Sequence, residues 1–195
     1  MQAKYRNPSY PPFGEWDERL TNPVCTNLLP VEKLHQNEWF TLSRRGTFYT
    51  VDYMEPQVIL LPVVDNEAIV MVRVKRPVLG DITLELPAGA ACQGETPEAG
   101  AARELAEETG IEISDTSRLI PMPPLATSPN REPRLVYVFL VNISRLEFEK
   151  RSPHDSEVDS VELICLDKVS QLISTGGIYV AGVIAVISSY ILTIN

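Results

Sequence analysis

Apolar residues crowd two short runs, QVILLPVV (57–64) and AIVMVRVK (68–75), parted by Asp65-Asn66-Glu67. Such runs on either side of turn residues predict a hairpin of buried strands. ITLELPAG (82–89) predicts a further strand closing in Pro87 and Gly89. The pattern then turns helical. Thr96 suits an N-cap, Pro97 the first helical position, Glu98 the positive end and Gly110 a left-handed stop. Downstream we expect a Pro-rich connector (121–133), a strand (134–141), an acidic loop (148–160), a strand (161–166) and helices near 167–174 and 178–194. Upstream, residues 1–22 suggest an irregular arm, and 24–54 a small antiparallel unit built from EWFTLS and TFYTVDYM. The order predicts an α+β fold, a mixed sheet sandwiched by helices, with residues 1–55 set apart from 56–195.

Composition narrows the partners. The 195 residues are 44% apolar, enough for one substantial core, and carry a formal charge of −9. That charge repels a phosphate backbone, so no nucleic-acid partner is expected. Cys25, Cys92 and Cys165 are scattered without metal-ligand spacing, which suits a reducing, cytoplasmic compartment. The first twenty residues lack the apolar stretch of a secretory signal. The uncharged run 178–194 is short for a membrane span and lacks basic flanks, so a buried C-terminal helix is expected.

The predicted helix carries its acids at the wrong end. Glu104, Glu107 and Glu108 crowd the last two turns, where the macrodipole is negative. Each like-charge pair at i,i+3 or i,i+4 costs about 0.2–0.5 kcal/mol in isolation. A divalent cation reverses the sign of both penalties, and hard Mg²⁺ takes carboxylate, phosphate and water oxygens. A solvated acidic face is the plainer explanation for such a helix considered alone.

The surrounding residues decide between the two. Gly89, Glu95, Arg103, Glu104, Leu105, Glu107, Glu108, Gly110 and Ile111 stand at the spacing G-x5-E-x7-R-E-L-x-E-E-x-G-I. This pattern resembles the signature of the Nudix hydrolases at every defined position. The resemblance implies a Nudix-type α/β/α sandwich and a loop-helix-loop that binds Mg²⁺ or Mn²⁺ and cleaves a nucleoside diphosphate derivative. It makes Glu104 and Glu108 the principal metal ligands, with the Ala88 carbonyl at another ligand position. Glu107 would complete a second metal site or orient water. Arg103 would pair with Glu95 or Glu107, Gly89 and Gly110 would hold the backbone, and Leu105 would face the core.

The flanks resemble the ADP-ribose pyrophosphatases in particular. KRPVLGDITLELPAG (75–89) places Arg76 against the substrate diphosphate and Glu85 at the site mouth; Ala90 also falls at a substrate-binding position. Ser128-Pro129 matches a turn of that subgroup, with Asn130 replacing its usual glycine. In HDSEVDSVEL (154–163), Asp159 matches the late acidic residue that acts as base or metal ligand, with Glu157 the near alternative; His154 is incidental. Trp39 is the candidate adenine platform, and Arg44 or Arg45 would touch the terminal phosphate. In the resembled enzymes the N-terminal unit dimerises and reaches the partner's site. The expectation is a Mg²⁺-dependent homodimeric hydrolase of ADP-ribose or a similar sugar nucleotide. GDP- or UDP-sugars and dinucleoside polyphosphates are the alternatives, and a non-catalytic nucleotide sensor is the rival of another class.

Overall fold

The hairpin forms as its sequence requires. In the computed structural model, which describes residues 14–20 and 28–194, β4 (Gln57–Val64) turns into β5 (Ala68–Arg76) through Asp65 and Asn66 at φ 50° and 59°. Short polar side chains tolerate that left-handed geometry, which a tight hairpin needs. Beyond the turn the two strands part. The next stretch runs between them, first as β6 (Asp81–Glu85) against β5, then as β7 (Ala88–Ala90) against β4. The single strand expected over 82–89 is therefore two pieces, broken at Leu86-Pro87, where proline has no N–H to donate.

β9 (Val136–Ile143) lies parallel to β4, and β10 (Val158–Cys165) runs antiparallel to β5. The remaining edge is a finding against expectation. The Pro-rich connector contains a strand, β8 (Ile120–Leu125), paired with β9. Pro121, Pro123 and Pro124 are tolerated because β8 is the edge of the seven-stranded sheet, and its register slips between Met122 and Leu125.

Helices cover both faces. α1 (Pro97–Thr109) seals Val58, Leu60, Val70, Phe139 and Val141 with Ala101 and Leu105. The opposite face buries Leu61, Met71, Leu84 and Val138 beneath α3 (Leu166–Ser174) and α4 (Ala181–Ile194). A short helix, α2 (Arg145–Glu149), precedes the acidic loop. No helix among the described residues is long and apolar enough to cross a membrane; α4 instead buries Val183, Val186, Ile187 and Tyr190.

A separate three-stranded antiparallel sheet holds β1 (Val31–Gln36), β2 (Phe40–Arg45) and β3 (Phe48–Tyr53). It joins the main body where the Val51 amide donates to the Arg131 carbonyl at 2.8 Å and the Arg134 guanidinium stacks over Tyr53 at 4.1 Å. Of the expected N-terminal arm, residues 14–20 lie against β8 and β9, with Trp16 tilted on Tyr137; residues 1–13, 21–27 and 195 lie outside the described residues.

Candidate active site

α1 begins and ends as its caps dictate. Thr96 accepts from the Ala99 amide at 3.2 Å, and Gly110, at φ 73°, returns its amide to Ala106 at 2.8 Å. With Leu105 fully buried, Glu104 and Glu108 lie one turn apart against β7. A Cβ on Gly89 would stand 2.1 Å from the Glu104 carboxyl carbon, so only glycine lets that carboxylate rest on the strand backbone. The Ala88 amide donates to Glu108 at 2.9 Å. Ala88 thus meets the cluster through its N–H as well as being the expected carbonyl position.

Arg103 ties this end of the helix to the preceding loop. Its guanidinium donates to Glu95 at 3.2 Å, Glu104 at 2.9 Å, Glu107 at 2.8 Å and the Ala90 carbonyl at 2.7 Å. Both expected partners, Glu95 and Glu107, are engaged at once. Glu95 also accepts from the Cys92 amide at 2.6 Å, and Arg103 above all holds its carboxyl below the usual range.

A second fork faces the cluster from β5 and β6. Arg76 donates to both oxygens of Glu85, at 2.7 and 2.9 Å, and the Thr83 hydroxyl reaches the same carboxylate. Burial pushes Glu85 upward, but the guanidinium and hydroxyl outweigh it and hold the carboxyl below its ordinary pKa. Glu85 is a buried anion on the face that looks toward α1, while its neighbour Leu84 enters the opposite core.

The late acidic segment is stitched to the end of α1. Ser152 donates its amide to the Gly110 carbonyl and Asp155 to the Glu107 carbonyl, both at 2.8 Å. Orphan carbonyls at the helix terminus are satisfied in this way, and the segment's acids are brought inward. Glu157 comes close enough to repel Glu104 and attract Arg76, and Asp155 close enough to repel Glu108. Asp159, the residue matched by the resemblance, is elsewhere. It sits at a bulge in β10, 43% exposed and 3.4 Å from Lys75. The fold thus brings Glu157 and Asp155 beside the cluster and leaves Asp159 apart from it; the sequence signal for Asp155 was membership of an acidic loop.

Four residues expected to contact substrate lie outside this cluster. Trp39 projects from the β1–β2 turn, 67% exposed. Arg45 is held by Asp52 at 2.7 Å in a small cavity with Phe48, Pro129 and Asn130. Ser128 closes the neighbouring turn, its carbonyl accepting from Arg131 at 2.7 Å and Glu132 at 2.8 Å. Arg44 pairs with Glu32 on the exposed face of the small sheet.

The electrostatics of the cluster ask for positive charge. Burial first, then repulsion from Glu104 and Asp155, pushes the Glu108 carboxyl up to about 7, against the pull of the Ala88 amide and Arg76. Burial likewise raises Glu104 despite its bond from Arg103.

Family comparison accounts for this arrangement. The NUDIX domain matches residues 54–179, well over half of the chain. The chain belongs to the NUDIX family. An ADP-ribose pyrophosphatase of Bacillus subtilis is 34% identical over 122 residues, which cover 63% of this chain and 64% of that protein. A methanol dehydrogenase activator of Bacillus methanolicus is 34% identical over 123 residues, 63% of this chain and 64% of that one. The match thus spans just under two thirds of each relative. An ADP-sugar pyrophosphatase of Mus musculus is 44% identical over 61 residues, 30% of this chain and 28% of its own length. The crystal structure of an ADP compounds hydrolase shares the fold, with a TM-score of 0.63 at 18% identity over 83% of this chain and 90% of that one.

NUDIX hydrolases generally use divalent metal ions, and the residues here fit one. Among the described residues no three Asp, Glu, His or Cys side chains are arranged to hold an ion by themselves. Hard cations of the Mg²⁺ type need only one or two carboxylates, with waters and substrate phosphate oxygens completing the shell. Glu104 and Glu108 supply two half-buried carboxylates, and the bare Gly89 backbone leaves the space that the Glu104 carboxylate occupies.

Proposed function

We propose that this NUDIX protein hydrolyses the diphosphate bridge of ADP-ribose or a related nucleoside diphosphate sugar, releasing AMP or another nucleoside monophosphate and a sugar phosphate. One observation carries the reading: the Arg76–Glu85 fork, its carboxylate buried, brings the guanidinium close enough to Glu108 to attract it. An anion receptor beside a cation receptor suits a metal-bound diphosphate. The ADP-ribose and ADP-sugar pyrophosphatases among its relatives support the substrate class.

In this reading Glu104 and Glu108 hold Mg²⁺ or Mn²⁺, with Glu107 and the Ala88 carbonyl beside them. The ion would neutralise diphosphate charge and acidify a bound water. Arg103 restrains Glu95, Glu104 and Glu107 so that the carboxylates keep one orientation. Arg76 binds the diphosphate and Glu85 orients Arg76. Glu157, delivered by the stitched segment, accepts the proton of the attacking water; Asp155 is the nearby second acid. Trp39, Arg45 and Ser128 act from the small sheet and its neighbouring turn. We place them at the partner's site in a homodimer, in a cytoplasmic setting.

The deciding experiment is a substrate panel of ADP-ribose, GDP-mannose, UDP-glucose and diadenosine compounds with Mg²⁺, scored by phosphate release after phosphatase treatment. ADP-ribose or an ADP-sugar is expected to lead. Sedimentation at low concentration tests the dimer, and a persistent monomer would remove Trp39 and Arg45 from the site.

A further inference from the structure

The Arg76–Glu85 fork is anchored by a residue that the family pattern did not single out. Thr83 is 1% exposed, two residues before Glu85 on the same face of β6. Its hydroxyl lies 2.5 Å from Glu85 Oε1 and 3.3 Å from the Val74 carbonyl oxygen. A hydroxyl has one proton to give. The shorter contact goes to the charged acceptor, so the donor bond belongs to Glu85. The carboxylate thus has three donors: the hydroxyl and Arg76 Nε on Oε1, and Arg76 Nη2 on Oε2.

The geometry matters because the two ends of the fork differ in burial. The Glu85 side chain is 8% exposed, whereas that of Arg76 is 44% exposed. The guanidinium cannot be fixed by packing at its outer side, so its direction depends on the carboxylate behind it. That carboxylate has its own rotatable bonds. Thr83 supplies a contact from the strand that restrains its rotation, from a β-branched side chain that is itself stiff.

We infer that Thr83 is a positioning residue, setting the orientation of Arg76 through Glu85 and thereby the affinity for the diphosphate. This rests on Arg76 as the diphosphate contact. Since that contact is made equally before and during bond cleavage, its loss should appear in KM and not in kcat.

Thr83→Val keeps the shape and removes the hydroxyl; Thr83→Ser keeps the hydroxyl. With ADP-ribose and Mg²⁺, Thr83→Val is expected to raise KM about tenfold, the scale of one hydrogen bond to a charged group, with kcat within about twofold. Thr83→Ser should restore KM. In a Glu85→Gln background, Thr83→Val should add less than about twofold, because the two changes cut the same path. An unchanged KM, or a Ser variant as impaired as the Val variant, overturns the assignment. So does a fall in kcat that tracks a fall in melting temperature, which would mark a merely structural residue. Calorimetric titration with α,β-methylene-ADP and Mg²⁺ separates this from the substrate proposal. Should the wild type bind the analogue without cleaving ADP-ribose, the substrate reading fails while a tenfold weaker Thr83→Val complex still upholds Thr83. Equal affinity of the two proteins, or no binding by the wild type, rejects the role.

Discussion

Glu108 and Glu147 are both helical glutamates, and the protein treats them in opposite ways. Glu147 is the third residue of α2. It caps the Ser144 amide at 2.8 Å, accepts Arg118 at 2.7 Å and has its carboxyl pulled down to about 2 by Arg118 first and Ser144 next. Glu108 closes α1 from the inside, half-buried, with one backbone amide and other acids nearby, and is pushed up to about 7. The first carboxylate is satisfied within the chain and stabilises a helix start. The second has one backbone amide against burial and neighbouring acids, a deficit that a proton or a cation would relieve. An acid whose local partners are insufficient marks the site better than the number of acids does, because surface acids are abundant in a chain of charge −9.

The largest effect expected from breaking this contrast comes from Glu108→Gln. Turnover should drop about a thousandfold, the scale of losing one group that acts on transition-state charge. Thermal melts should show the metal-free fold intact. Unaltered turnover would remove Glu108 from the metal site.

A smaller effect sharpens the contrast through pH. The folded Glu108 pKa, about 7, stands above its ordinary 4.5. The uncharged carboxyl therefore contributes stability that is complete below the ordinary value and disappears as pH climbs through 7. Melting of the metal-free protein should lose a few degrees from this group between about pH 5 and pH 8, and Mg²⁺ should restore more at the higher pH. Glu108→Gln should flatten both trends. Glu147 runs the other way: its contribution is present above 4.5 and lost as pH falls through about 2.

The smallest effect is at Glu147 itself. Glu147→Ala removes half of the capping box and should cost about 1 kcal/mol, or about 2–4 °C in Tm for a chain of this size. Turnover should not change. Lost turnover would mean that α2 governs the acidic segment that follows it.

Some of this was legible from sequence, for local reasons. Thr96, Pro97 and Gly110 bracket α1 because caps involve near neighbours, and they lie where the sequence put them. The Gly89-to-Ile111 spacing located the acids because one helix holds them. β8 was hidden because three prolines in six residues contradict strand propensity, and only pairing with β9 makes an edge strand of them. Counting residues left both Asp159 and Glu157 open, and only the folded backbone separates which of them lies beside the cluster. The bulge at Asp159 turns that side chain toward Lys75, and Asp155 enters through a hydrogen bond from its backbone amide to the Glu107 carbonyl that no spacing rule encodes.

The junction of Gly110 and Ser152 constrains change in this family member. A methyl group at position 110 would fall 1.7 Å from the Ser152 carbonyl oxygen, so the position must stay bare for a reason beyond helix termination. The stretch between β9 and β10 looks like a variable surface connection, yet it is riveted at 152 and again at 155. Insertions or deletions should be absorbed only upstream, around 149–151; lengthening between 155 and 157 would swing the acid away from its target. Natural length variation ought to respect that fence.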